Sequence, residues 1–157
     1  MSYTNFSKAL EILKGFDDYD SGSGVSAQCI SNAEKKLGIN FSQQISHYLT
    51  NYGYIEFFGV ELYGIIDEEI SYDSVEGCMV EWSVVQREKY GLNHLWLPIK
   101  FDDDGCMAFF DFSDLNKENE PSIISAVLTN NGWVLNEKLA DDFGDYLLCL
   151  IDEYENE

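Results

Sequence analysis

The apolar residues of this chain keep helical spacing as far as Gly53. They then gather into β-branched and aromatic runs with one helix-compatible stretch among them, and helical spacing returns near the C-terminal end. This ordering limits the fold more than any other feature. Strand-like runs that cluster, rather than alternate with helices, favour α+β with a mainly antiparallel sheet over a doubly wound parallel fold. The expected architecture is a single domain over residues 1–157, its sheet flanked by N-terminal and C-terminal helices. A chain of 157 residues buries roughly two-thirds of its unfolded surface, so its core needs no disulfide or metal.

Phe6, Ala9, Leu10 and Leu13 fall at i, i+3, i+4 and i+7, one face of a helix that Gly15 can end. Residues 17–24, rich in Asp, Gly and Ser, read as a loop. Ser26 caps a second helix carrying Ile30, Ala33 and Leu37, and Gly38 stops it. Ser42 caps a third carrying Ile45, Tyr48, Leu49 and Tyr52, ended by Gly53. Residues 54–58 and 60–63 read as strands, with Gly59 as turn or bulge between them. Residues 81–90 suit a helix closed by Gly91. Residues 95–101 read as a strand that Pro98 consigns to an edge or a bulge. The 102–105 turn returns the chain as a hairpin through 106–112. A further strand covers 121–128, a turn at Asn130-Asn131-Gly132 leads into a short strand over 133–135, and a helix from about 137 to 154 closes the chain. Leu139, Phe143, Tyr146, Leu147 and Leu150 would form its inner face.

Charge narrows the function. Twenty-nine Asp and Glu stand against nine Lys and Arg, a net charge of −20. Such a surface repels phosphate backbones and anionic membranes, which argues against direct nucleic-acid or lipid binding. A basic partner, a bound cation and solubility alone are all compatible with it. The first residues lack a positive segment followed by an apolar one, and no apolar run reaches the about 20 residues of a membrane span. Cys29, Cys78, Cys106 and Cys149 show no Cys-x-x-Cys spacing. They read as reduced, mostly buried thiols of a cytoplasmic protein.

Catalytic signals are weak. His47 and His94 are the two imidazoles, and neither has a Cys, His or carboxylate at metal-ligand spacing. No His-Glu-x-x-His, Gly-x-Ser-x-Gly or glycine-rich phosphate loop is present. Asp102-Asp103-Asp104-Gly105 fails as an EF-hand loop, because its Gly comes fourth and strand-like residues follow. Paired carboxylates are so numerous that they single out no hydrolase site. No catalytic residue, metal ligand or cofactor is therefore assigned. Asp152, Glu153, Glu155 and Glu157 crowd the end of the closing helix, where its dipole disfavours negative charge. A basic partner would use that concentration, and a frayed acidic tail would equally explain it.

Taken in order, several runs resemble one family. Ser26-x-x-x-Ile30-x-x-Ala33-Glu34-x-x-Leu37-Gly38-Ile39 is similar to its N-terminal helix, and Ile45-x-x-Tyr48-Leu49-x-x-Tyr52-Gly53 to the next. Gly59-Val60-Glu61-Leu62-Tyr63-Gly64 resembles its Gly-x-x-x-Tyr-Gly element. Leu97-Pro98-Ile99 with Asp103-Asp104-Gly105 resembles the middle hairpin, and Phe109-Phe110-Asp111 its aromatic–Asp strand. Leu139-Ala140-Asp141-x-Phe143-x-x-Tyr146-Leu147 resembles the closing helix. The family is the SUKH superfamily, the Smi/Knr-like group, and the resemblance covers about residues 26–151. Phe41-Ser42 stands where the family often has Leu-Pro, and Ser42 can cap the helix that such a Pro would start.

The resemblance implies a cytoplasmic immunity protein that neutralises a polymorphic toxin, often a nuclease. A nuclease presents a basic surface, and an acidic protein can occlude it with steered association. Eukaryotic members act instead as regulators or scaffolds, and an acid-based hydrolase is the reading from a different class. The contact residues expected for a basic partner are two loop clusters that project charge away from the core. They are Asp67, Glu68 and Glu69, and Asp102, Asp103 and Asp104.

Overall fold

The computed structural model describes residues 2–66, 77–102 and 104–156. α1 (Ser2–Lys14) buries Phe6, Ala9, Leu10 and Leu13 along one face, as their spacing requires. β1 (Asp20–Ser21) is a two-residue strand inside the stretch expected to be loop. It forms because Gly22 and Gly24 let the chain press against backbone: a Cβ on Gly24 would lie 1.9 Å from the Thr50 carbonyl oxygen. α2 (Ala27–Leu37) starts where the Ser26 hydroxyl accepts the Cys29 amide at 3.1 Å, and stops at left-handed Gly38. α3 (Gln43–Asn51) starts likewise, with the Ser42 hydroxyl accepting the Ile45 amide at 3.3 Å.

The strands form two antiparallel sheets rather than one. β2 (Ile55–Phe57) lies between β1 and β3 (Val60–Leu62) in the smaller sheet. α4 (Met79–Tyr90) begins two residues earlier than expected and ends at left-handed Gly91. The larger sheet has the order β4 (Trp96–Phe101), β5 (Cys106–Leu115), β6 (Pro121–Thr129) and β7 (Gly132–Ala140). Pro98 has both features that sequence gives it: β4 is an edge strand, and its register with β5 slips between Pro98 and Lys100. The sheets touch where the Tyr63 amide donates to the Ile99 carbonyl at 2.6 Å. α5 (Phe143–Glu155) closes the chain.

The larger sheet is covered on both faces at its centre. Adjacent residues of a strand point to opposite faces. Phe109 accordingly meets Trp82 of α4 and Trp133 at ring distances of 5.8 and 5.3 Å, while Phe110 meets Phe143 of α5 at 5.0 Å. This explains the unbroken buried run from Met107 to Phe110, which a sheet with one wet face would interrupt with polar residues. α1 packs on α5, with Phe6 and Phe143 5.6 Å apart. Among the described residues, no helix is long and apolar enough to cross a membrane.

Three local expectations need correction. Residues 137–140 are strand, not helix: β7 runs on to Ala140, pairing Glu137 with Ser125 and Lys138 with Ile124. Glu-Lys-Leu-Ala has good helix propensity, but pairing with β6 overrides it, and the helix waits for Asp142 to cap it. The closing helix ends one residue later than expected, at Glu155. There the Asn156 amide side chain donates to the Asp152 carbonyl at 2.8 Å. The cysteines are thiols, but not mostly buried: Cys29, Cys78 and Cys106 are half-buried and Cys149 is exposed. Two of them sit at element boundaries, Cys78 capping α4 and Cys106 opening β5.

Candidate functional site

The larger sheet and the closing helix leave a groove of about 500 Å³ between them. Its wall is the buried side of α5, where Tyr146 and Leu150 follow the helix period, and its far side is Asn136 and Leu139 of β7. Carboxylates stand around it: Asp102 and Asp104 from the β4–β5 turn, Glu137 from β7 and Glu153 from the last turn of α5. The turn holds its shape by backbone bonds, the Asp102 amide to the Cys106 carbonyl at 2.8 Å and the Gly105 amide back to the Asp102 carbonyl at 3.1 Å. Asp104 accepts the Cys106 amide at 3.0 Å and lines the groove.

One cation is already present. Lys100 is 8 % exposed, and its ammonium donates to the Asp102 carboxylate at 2.6 Å. Asp102 is thus a buried lysine's partner and not the freely projecting charge that a turn aspartate suggests. Asp104, Glu137 and Glu153 are exposed. Their field is felt inside the groove. Burial pushes the Cys106 thiol up, and Asp104, Asp102 and Glu137 push it further. Burial followed by Glu153, Asp145 and Asp152 does the same to Cys149. The Tyr146 hydroxyl is held well above its ordinary value by burial, with Asp102 and Glu153 adding to it. Tyr146 is 4 % exposed, and its hydroxyl has no hydrogen-bond partner among the described residues.

The groove continues past Lys100 and Tyr154 into an aromatic annex of about 270 Å³ that includes Phe58 and Phe101. Phe101 is 60 % exposed. Phe58 takes a left-handed backbone (φ 49°), which non-glycine residues seldom adopt. Its amide donates to the Asp18 carboxylate at 2.7 Å, and its ring lies 4.6 Å from Phe16 and stacks on Tyr154 at 6.2 Å. These contacts hold an apolar ring at the surface.

Of the residues expected to meet a partner, Asp102 and Asp104 lie at this groove. Asp103, Asp67, Glu68 and Glu69 lie outside the described residues. Glu153, one of the acids at the end of the closing helix, joins them, as do Tyr146, expected only as an inner-face residue of that helix, and Glu137 and Tyr154, which the sequence gives no role at a site. Glu137 was hidden by its assignment to a helix, and a hairpin with equal arms after Asn130-Asn131-Gly132 would have placed it. The histidines are elsewhere. His47 takes a 3.2 Å hydrogen bond with the Tyr3 hydroxyl and stands edge-on to Phe6, while burial and Lys14 lower its pKa. His94 is exposed in the loop before β4. Among the described residues, no three His, Cys, Asp or Glu side chains are grouped to hold a metal.

No curated protein matches the chain. Residues 27–147 match the family described as SMI1-KNR4 cell-wall. That span runs from the first residue of α2 into α5, and so takes in the larger sheet, β2 and β3 of the smaller one, and most of the groove. Covering well over half of the chain, and the stretches whose motifs resemble the same group, the match shows that this protein belongs to the SMI1-KNR4 family of the SUKH superfamily.

Proposed function

We propose that this protein is an immunity protein of the cytoplasm, which binds a polymorphic toxin and neutralises it by covering the toxin's basic active surface. Family membership carries the reading, because bacterial SUKH proteins commonly have this role. The net charge of −20 supports it and favours a nuclease as the toxin. A nuclease must gather positive charge to hold phosphates, and the same charge draws in an acidic protein. Occlusion asks for no chemistry from the inhibitor, so no catalytic group is assigned to the chain. Asp102 and Asp104, together with Asp67, Glu68, Glu69 and Asp103, are proposed to face the toxin.

The test is to look for a toxin domain encoded beside this gene and to co-express the two. Cells carrying both should survive, and cells carrying the toxin alone should not. Death despite abundant folded protein would overturn the proposal. A regulatory or scaffold role is the second reading, favoured by the cell-wall description of the matched family. It predicts several host partners on affinity purification and no protection.

A further inference from the structure

We propose that the groove between α5, β7 and the β4–β5 turn is the partner-contact site, and that its occupant is an arginine side chain on a basic segment of the partner protein. The inference rests on the reading of the protein as a binder of a basic partner, and adds where and by what chemistry it binds.

Among the described residues, four carboxylates face one ammonium in the groove, and that ammonium is already paired with Asp102. Asp104, Glu137 and Glu153 therefore present uncompensated negative charge around a pocket whose wall is Tyr146 and Leu150. An anion would be repelled, and a neutral apolar ligand would leave the acids without a partner. A metal ion needs ligands gathered at one point, whereas no three described acids are so grouped. A long side chain with an aliphatic stem and a charged head fits both features: the stem lies along Leu150 and the head reaches the acids.

Arginine suits the site better than lysine for two reasons. Its five donors can serve separated acceptors at once, and here these are the carboxylates and the Tyr146 hydroxyl oxygen. That hydroxyl belongs to a side chain 96 % removed from solvent, lines the groove, and has no partner among the described residues. The flat guanidinium also stacks on aromatic rings, and Tyr154 stands where the groove opens into the aromatic annex. Phe58 and Phe101 in that annex would receive apolar residues flanking the arginine.

The test uses the full chain and the peptide acetyl-Gly-Arg-Leu-Arg-Gly-amide, with its citrulline counterpart as a neutral isostere. Amide shifts in a ¹⁵N titration should map to residues around 104–106, 136–139 and 149–154, and the citrulline peptide should leave them unmoved. The E137Q/E153Q double variant should weaken binding about fivefold, the worth of two exposed ion pairs, while E11Q/E88Q, with the same change in net charge on remote faces, should weaken it less than about twofold. Shifts scattered over the acidic surface, equal losses in the two variants, or citrulline binding as well as arginine would each overturn the inference. The peptide needs no toxin. Protection that survives E137Q/E153Q without loss of toxin affinity would refute the groove and leave the immunity role standing, whereas groove-specific peptide binding without protection would refute the immunity role and leave the groove.

Discussion

Glu120 is 2 % exposed and lacks a full set of partners. Its Oε2 accepts the Gln44 amide at the start of α3 at 3.2 Å, but Oε1 has no partner, and neither has Oδ2 of buried Asp142. Burial raises the Glu120 pKa, and the charge of Asp142 adds to the rise, against hydrogen bonds from Ser42 and the Gln44 amide that lower it. The folded state thus holds this proton more tightly than the unfolded chain does. The group's contribution to stability is full below its unfolded pKa of about 4.5 and is lost as pH climbs through the folded value. E120Q keeps an acceptor for the Gln44 amide and removes the buried charge. It should raise the melting temperature at pH 7 by a few degrees, roughly 1 kcal/mol, and the gap to the native protein should close near pH 4.5. A variant less stable than the native protein at pH 7 would show that the start of α3 needs the ionised form. Glycines give a sharper contrast. A Cβ on Gly64 would lie 1.8 Å from the Gly53 carbonyl oxygen, whereas Gly59 has φ 77° and open space around it. G59A should cost about 1 kcal/mol for its left-handed backbone, and G64A about 3 kcal/mol or more because backbone must move, both read by urea unfolding.

At the scale of elements, α1 lies outside the family match yet carries much of the core. Phe6 packs on Phe143, Asn5 donates to the Asp145 carboxylate at 2.8 Å, and Phe143 in turn meets Tyr48 and Phe110. F6A should cost about 3–5 kcal/mol by the loss of a fully buried ring, and a loss under about 1 kcal/mol in denaturant unfolding would mean that α1 is dispensable. This face was legible in the sequence because helical spacing and Ser or Gly caps are local signals. So was the hairpin at 102–105, whereas the burial of Phe109 and Phe110 on opposite faces depends on α4 and α5 covering both sides of the sheet. The boundary between β7 and α5 was not legible either. What makes residues 137–140 a strand is their pairing with β6, a contact that no local propensity encodes. The glycines of the 17–24 stretch likewise look like loop until Thr50 is seen against Gly24.

For the whole molecule, charge was legible from the first count, but its placement was not. Asp102 and Asp104 could be read as turn residues, yet Glu137 and Glu153 reach the same groove only because strand and helix bring together positions remote in sequence. A net charge of −20 also strains the fold itself through self-repulsion. Adding salt should therefore raise the melting temperature until screening is complete. A melting temperature independent of salt between low ionic strength and about 0.5 M would mean that the acids are too dispersed to repel one another. Association with a basic partner should respond in the opposite sense, since salt shortens the reach of charge to about 8 Å at physiological strength. Peripheral acids act mainly on the encounter. The rate of association with the toxin domain that the proposed function calls for, followed by stopped flow from low to high ionic strength, bears on this most directly. The rate should fall steeply with salt while dissociation changes little, and an association rate that ignores salt would contradict a charge-steered inhibitor.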